Sequence, residues 1–570
     1  MYRSWSCCRQ TVITIYLQAL NQMITTKSKR RIPLLYLLEG IISGAVSALS
    51  LPPFGFWILA LVGTAAFYML LQASGPKRRM MIGFGFAVGY FGISYAWVTS
   101  LVFGGWIALV IFQMIITGVA SLLVPAHRPG RWGTASMFGF ATVMVLADQL
   151  RWSWPFGGMP IGALSLGQAA SPLGQLARIG GPILIELATF LAGACIGELA
   201  LRSAGLWHDE LRHPHLHPQL RRDGKIVAKA SNPTRPGEPV AFNLGPIAIA
   251  IAIVIVVAIA DFVAPDGGHS HSRIRIAAVQ GGGARGLHAI FTDADIVFAR
   301  QLSPTEQIPP MPRIDLVVWP EDVISLSEPV VNSSAGNEVA RQARRLDSTL
   351  VAGVTQTVGQ SKFLNEAVAW SPDGTLVGTF EKVHRVPFGE YIPFRSFFAS
   401  LGPTNLVPRD AIPGRGNGTL KGTSRFPREQ TATARKLGLM ISFEVFFPSR
   451  ARTSVSHGAQ LLVVPTNDAS YSTGQVPAQE VSADELRAIE EGRFLVQAAP
   501  TGYTDFVDNR GSLIIRSSLG SQQVLESQVD LLSGRTWYSH TGDLPYLAAA
   551  AVLGLTCLLI SRRKEANDRH

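Results

Sequence analysis

A carboxylate, an ammonium and a hydroxyl stand at the ends of three apolar runs in this chain. Glu321 closes VVWPE, Lys382 lies just after the run TLVGTF in FEKVHRVPFGEYIP, and Ser442 closes GLMIS. In α/β folds, groups at strand ends converge on a shared crevice. There the three would form an acyl-transfer set. The carboxylate takes a proton, the nucleophile carries a covalent acyl group, and the cation with a backbone N–H holds the oxyanion. Taken singly, each reads as an ordinary salt bridge or a capping serine; their joint occurrence selects the catalytic reading. Gly281–Gly286 (GGGARG) fits a dinucleotide pattern and follows a strand. Such a site needs a second strand ending in an acid for the ribose. The next strand ends in Trp319-Pro320-Glu321 instead, so nucleotide binding is set aside.

The elements that must place these groups lie between residues 263 and 542, a length sufficient for one large α/β domain. Arg273–Val279, Ile314–Trp319, Thr349–Val354, Leu437–Ser442, Ala459–Pro465 and Phe494–Ala498 read as strands rich in Val, Ile and Leu. Ala367–Trp370 and Thr375–Phe380 flank Ser-Pro-Asp-Gly, a hairpin signal. Phe506–Asp508 leads into the turn Asn509-Arg510-Gly511. Ala294–Leu302 and Val481–Glu491 read as helices. Strands interleaved with helices imply a layered α/β fold.

The rest of the chain is apolar. Of 570 residues, 47% are hydrophobic and 16% charged, against about 25% charged in an ordinary soluble domain. This composition excludes a disordered protein and argues against a wholly soluble one. Eight runs approach the roughly 20 residues of a membrane span, near 32–50, 54–74, 81–100, 102–125, 133–150, 176–201, 243–262 and 544–561. Lys and Arg collect in the tail before the first run, around Lys77–Arg79, at Arg128 and Arg131, in 202–241, and at Arg562–Lys564. With eight spans all five groups fall on one side, which the positive-inside rule makes the cytoplasm. The net charge of +11 is thereby accounted for without nucleic acid. The predicted organisation is a cytoplasmic tail (1–31), a transmembrane domain of about seven helices (32–262), an extracytoplasmic domain (263–542), a last span (543–561) and a cytoplasmic tail (562–570). No clean signal peptide precedes the first span. His208, His213, His215 and His217 read as part of a solvated Pro-rich loop. LPPFGFW (51–57) and WSWPFGGMPIGALSLGQ (152–168) read as interfacial aromatic belts with turns, with a flexible lipid-facing entrance to an active site as the sharper alternative. Of four cysteines, none lies between Cys195 and Cys557, so neither a disulfide framework nor a cysteine metal site can be read.

The chain resembles the apolipoprotein N-acyltransferases, membrane enzymes of the nitrilase (CN-hydrolase) superfamily. The likeness rests on PPFGFW after the first span, WPE at 319–321, VPFGEYIP at 386–393, GAQLLVVPTND at 458–468 and RAIEEGR at 487–493. It implies a multi-span helical membrane domain with a nitrilase-like αββα sandwich inserted before the last helix, on the outer face of the bacterial cell membrane. It implies that Glu321 is the general base, Lys382 the catalytic lysine, and Glu390 and Glu444 supporting acids. The implied reaction moves an acyl chain from a phospholipid to the N-terminal diacylglyceryl-cysteine of a lipoprotein through an acyl-enzyme, with no metal or organic cofactor. This sequence departs from the family at the nucleophile: Ser442 stands where a cysteine is usual. Phe443, Ser470 and Pro500 also replace the usual residues. Three readings follow: an acyltransferase using Ser442, a silent relative serving as a membrane anchor or partner of a polyprenol-phosphate mannosyltransferase, or a chain altered at position 442.

Overall fold

The computed structural model describes residues 33–567 apart from 73, 126–132, 204–244, 269, 271, 402–406 and 422–435. The expectations for the N-terminal tail, Arg128, Arg131 and the histidine-bearing loop lie outside the described residues. Among these residues, seven apolar helices come first. They are α1 (Pro33–Ala48), α2 (Ile58–Gln72), α3 (Pro76–Ser94), α4 (Phe103–Leu123), α5 (Thr134–Ser153), α6 (Ala177–Ser203) and α7 (Gly245–Phe262). Phe103–Leu123, Pro172–Arg202, Gly245–Phe262 and the C-terminal Leu544–Arg563 are long and apolar enough to cross a membrane, while α1 and α2 are shorter apolar helices. The third helix begins earlier than its apolar run because Pro76 occupies its first turn, where a missing N–H is harmless. The glycine richness has a packing cause. A Cβ at Gly44 would lie 2.1 Å from the Phe86 carbonyl oxygen, and one at Gly89 2.1 Å from that of Ile41. Small residues there let the backbones of α1 and α3 touch.

The α/β domain follows. Its helices are α8 (Leu287–Ile290), α9 (Ala294–Glu306), α10 (Ser334–Leu346), α11 (Arg395–Leu401), α12 (Pro448–Ser456), α13 (Gln475–Glu491) and α14 (Trp537–Thr541), and α15 (Leu544–Asn567) comes after it. Its strands are β1 (Arg273–Gln280), β2 (Leu316–Val318), β3 (Ile324–Leu326), β4 (Thr349–Val358), β5 (Lys362–Trp370), β6 (Leu376–Glu381), β7 (Asp410–Ala411), β8 (Thr419–Lys421), β9 (Lys436–Leu439), β10 (Ala459–Pro465), β11 (Leu495–Ala498), β12 (Asp505–Val507), β13 (Leu513–Arg516) and β14 (Gln523–Asp530). One sheet runs β14-β1-β2-β4-β5-β6, with β3 on β4 and β7 on β5; the other runs β13-β12-β11-β10-β9-β8.

Alternation along the strands builds the layers. Ile274, Ile276 and Ala278 of β1 meet Leu461 and Val463 of β10 in the core between the sheets. Ala277 and Val279 point the other way, onto Val339, Ala343 and Leu346 of α10. Leu462 and Val464, on the far side of β10, join Leu486 and Ile489 of α13 in a core that continues into the membrane helices. The domain is therefore an αββα sandwich whose second helical layer is packed against the helical bundle. The predicted strand Leu437–Ser442 is shorter than expected. The β9 ladder ends at Leu439 because Ser442 adopts a left-handed backbone, φ +49°, that a ladder cannot hold.

Candidate active site

Glu321 sits three residues beyond β2, and the chain ends around it pin the two sheets together. Its N–H donates to the Thr466 carbonyl just past β10, at 3.2 Å, and the Gly353 N–H of β4 donates to Pro320 O at 3.0 Å. The approach of β4 is so close that a Cβ at Gly353 would lie 2.3 Å from Glu321 Cα and 2.4 Å from Pro320 O. Only glycine fits there.

Lys382 follows β6, and its N–H donates to Asn365 O on the neighbouring β5, at 2.9 Å. The ammonium is 2% exposed. It donates to Glu321 Oε1 at 2.8 Å and Glu390 Oε1 at 3.0 Å. The Asn365 amide donates to the same two oxygens at 2.8 and 2.7 Å. Glu390 is held in turn by the Val386 N–H on Oε2, at 2.7 Å. Burial works against the Lys382 charge, but the two carboxylates outweigh it and hold the pKa above the usual lysine range. Burial raises the Glu321 pKa, Lys382 opposes that rise, and Glu390 reinforces it.

Ser442 is 7% exposed and begins a 3-10 turn, Ser442–Phe446. Glu444, wholly buried, ties this turn to the chain after Lys382. Its Oε1 accepts from the N–H groups of Val383 (3.0 Å) and His384 (3.1 Å), and its Oε2 from Ile441 N–H (2.9 Å). Burial raises its pKa, opposed by Arg450 and by these N–H donors. The His384 ring stacks on Phe447 at 4.3 Å. Burial and then Arg450 lower its pKa to about 4, so it is neutral near pH 7. The structure thus brings Glu321 and Glu390 onto Lys382, and Glu444 ties the backbone just before Ser442 to the backbone just after Lys382.

Loops of the helical bundle close over this region. Phe156 packs edge-on against Phe388 and Phe394 at 6.0 and 6.1 Å, and the Tyr391 hydroxyl donates to Phe156 O at 3.3 Å. The WSWPFGGMP loop therefore meets the VPFGEYIP loop. On the other flank, Gln475 Oε1 accepts from Trp97 N–H (3.1 Å), Gln475 Nε2 donates to Ile93 O (2.8 Å), and Gln479 Oε1 accepts from Gly162 N–H (2.8 Å). Of the six non-glycine residues with positive φ among those described, five lie here: Phe156, Asp322, Phe388, Phe394 and Ser442. Strained backbone of this kind concentrates at functional sites.

Sequence reasoning missed Asn365 and Gly353. Counting back along the hairpin from its Ser-Pro-Asp-Gly turn places Asn365 across from Lys382, a signal that was available. The strand approach that demands Gly353 leaves no trace in the pattern of apolar residues.

Residues 43–195 match the apolipoprotein N-acyltransferase N-terminal domain, and residues 275–539 match the carbon-nitrogen hydrolase family. The apolipoprotein N-acyltransferase of Mycolicibacterium smegmatis is 28% identical over 541 residues, covering 92% of this chain and 85% of its own length. That of Photobacterium profundum is 25% identical over 556 residues, covering 92% and 95%. Among solved structures, Saccharomyces cerevisiae Nit3, of the nitrilase superfamily, aligns over 46% of this chain and 91% of its own, with 19% identity and a TM-score of 0.34.

Proposed function

The chain belongs to the apolipoprotein N-acyltransferase family, and on that premise we propose that it moves an acyl chain from a phospholipid to the N-terminal diacylglyceryl-cysteine of lipoproteins, with Ser442 as the acylated group. The observation that carries this reading is the buried contact of Lys382 with Glu321 and Glu390, with Glu444 tying the backbone just after Lys382 to the backbone just before Ser442. Glu321 takes the Ser442 hydroxyl proton as Oγ attacks the ester carbonyl, and hands it to the departing glycerol oxygen. Lys382 balances the charge that develops on the carbonyl oxygen. In the second half, the acceptor amine attacks, the C–Oγ bond breaks, and the proton returns to Ser442. A hydroxyl is far less acidic than the thiol it replaces, whose pKa is about 8.5, so the serine depends more heavily on Glu321.

The same premise, with the five basic segments, supports a multi-pass cell-membrane protein with its sandwich (263–542) outside and both termini in the cytoplasm. The aromatic contact between Phe156 and the VPFGEYIP loop supports a site that opens at the membrane surface. Ser442 itself favours a second reading, a silent relative serving as a membrane-held partner of a polyprenol-phosphate mannosyltransferase.

An acyltransfer assay in phospholipid with a diacylated lipopeptide separates the two. Triacylated peptide and acyl-Ser442 from the unaltered chain, both absent in Ser442→Ala, support catalysis. Product from Ser442→Cys alone would sink it and leave the partner reading.

A further inference from the structure

Donor and acceptor of the proposed reaction are alike where bonds break. Both are diacylglycerol derivatives, so one nucleophile could take a chain from the ester of either. They differ at the remaining glycerol carbon, which carries a phosphate diester in the donor and a cysteine thioether in the acceptor. We propose that Arg385 makes the distinction by taking the donor's phosphate, so that the free site is loaded by phospholipid and not by the acceptor. The inference rests on the function proposed above and adds to it the group that selects the donor.

Arg385 lies three residues past Lys382 and five before Glu390, and its side chain is held beside the latter. The guanidinium sits 4.0 Å from the ring centroid of Tyr391, the residue next to Glu390 in the chain. Its Nη1 donates to Ala411 O at 2.7 Å, and the Ala411 N–H donates to Glu390 O at 2.8 Å. One peptide unit therefore separates the Arg385 contact from Glu390, whose carboxylate accepts from Lys382 at 3.0 Å. The ester and the phosphate of one glycerol are likewise only a few bonds apart.

Most of the guanidinium is free to receive an anion. Of its five N–H donors, Ala411 O engages those on one amino group, and Tyr391 covers one face. No carboxylate among the described residues forms an ion pair with it. Asp410, next to Ala411, is occupied by Arg395 through Nε at 3.2 Å and through Nη2, and by the Ile392 N–H at 3.1 Å. Glu321 and Glu390 are turned to Lys382. Lys382 itself is 2% exposed and already donates to both acids, whereas Arg385 is half-buried. A guanidinium fixed by one face and one edge presents the rest of its fork in a set direction, which suits two oxygens of a phosphate.

The other side of this rim is apolar. The Tyr391 hydroxyl donates to Phe156 O at 3.3 Å, Phe156 packs on Phe388 and Phe394, and Phe388, Phe394 and Phe397 are exposed. A cation beside exposed phenylalanines matches a lipid with a phosphate at one end and acyl chains at the other. The thioether of the acceptor offers Arg385 no anion.

The test uses two inert lipids whose chains are attached as ethers, one a phosphatidylethanolamine analogue and one a dialkylglyceryl-cysteine peptide. Their binding to the full-length protein in detergent micelles is compared for the unaltered chain, Arg385→Gln and Arg385→Lys. Ethers cannot acylate Ser442, so binding is read whether or not transfer occurs. The expected result is a preference of at least about tenfold for the phospholipid ether, the worth of one charge-assisted hydrogen bond. Arg385→Gln should bring the two affinities level. Arg385→Lys should keep part of the preference, because the charge remains without the planar fork. A large excess of inorganic phosphate should displace neither lipid. An undiminished preference in Arg385→Gln, equal weakening of both lipids, or Arg385-dependent displacement by free phosphate would each overturn the inference. A preference that Arg385→Gln abolishes, in a chain that forms no acyl-Ser442 from phospholipid, would overturn the proposed function and leave the phospholipid site standing.

Discussion

Around Lys382, two carboxylates share one ammonium at 2.8 and 3.0 Å, with the Asn365 amide on the same oxygens. Elsewhere in the domain, Asp484 of α13 and Asp505 of β12 are fully buried, and none of their four carboxyl oxygens has a hydrogen-bond partner among the described residues. Both regions bury acids, but they resolve the penalty differently. The first keeps charge inside by balancing it. In the second, burial and then Asp505 push the Asp484 pKa well up, with Glu480 and Glu485 adding to the rise and Arg487 opposing it. Burial likewise raises Asp505, reinforced by Glu485 and opposed by Arg516. With no cation in hydrogen-bond contact, burial prevails and favours the protonated, neutral form of these acids. The proposed role of the Lys382 region rests on this difference: its carboxylates sit against an ammonium, whereas those of the second region have no hydrogen-bond partner among the described residues.

The largest break in that contrast comes from Lys382→Met, which would turn the first region into a copy of the second. Formation of acyl-Ser442 should fall roughly a thousandfold. The melting transition should register a loss of about 3–5 kcal/mol, the usual consequence of stranding one side of a buried ion pair. Unchanged acylation would remove Lys382 from the mechanism. Gly353→Ala keeps every charge and moves one. Its Cβ must displace the Glu321 backbone, and a shift of about 1 Å should slow acylation on the order of a hundredfold. Full activity in that variant would mean Glu321 need not be held in place.

The second region is sharpened by pH. Asp484 and Asp505, and the other buried acids of α13, have folded-state pKa values above those of the unfolded chain: Glu490, although paired with Arg487, is raised by burial to about 8, and Glu491 and Glu485 to about 7. A raised pKa means the folded state binds the extra protons. That stabilisation is complete below the unfolded values near 4 and is lost as pH climbs through 7 and 8. The melting midpoint should therefore decline as pH rises from about 5 to about 8. Asp484→Asn should flatten the decline and leave acyl-Ser442 formation at pH 6 as it was; an undiminished decline would place the titrating groups elsewhere. The smallest effect is expected from Phe156→Ala. It removes edge-on ring contacts worth about 0.5–1.5 kcal/mol, so KM for the lipid donor should rise with kcat unchanged.

The sequence made the strand ends legible because apolar runs terminated by Glu321, Lys382 and Ser442 are local patterns. The β10 strand, Ala459–Pro465, matches its expected bounds, and the hairpin around Ser371–Thr375 follows from its turn chemistry. What stayed hidden depends on contacts between distant segments. Gly353 is needed because another strand's Glu321 comes too near. Gln475 and Gln479 look like ordinary polar helix residues until Trp97 and Gly162 meet them. Ser442 reads as a strand residue because its left-handed backbone is held by a serine, and the glycine that usually marks such a conformation is absent from the position. The WSWPFGGMP loop, read as a belt, reaches Phe388 and Tyr391, a pairing that spans more than two hundred residues.

Every residue of α13 is buried, and its sides have separate duties. Gln475 and Gln479, one turn apart, face Trp97 and Gly162, whereas Glu480, one residue on, accepts from the Thr466 hydroxyl at 3.2 Å beside the strand end that holds Glu321. A deletion of one residue within this helix would rotate everything beyond it by roughly 100°. Polar groups cut for the bundle would then face the sheet, and acids would face the bundle. Length variation at this position is thus restricted to whole turns, and descendants of this chain can lengthen their loops far more freely than they can alter the phase of α13.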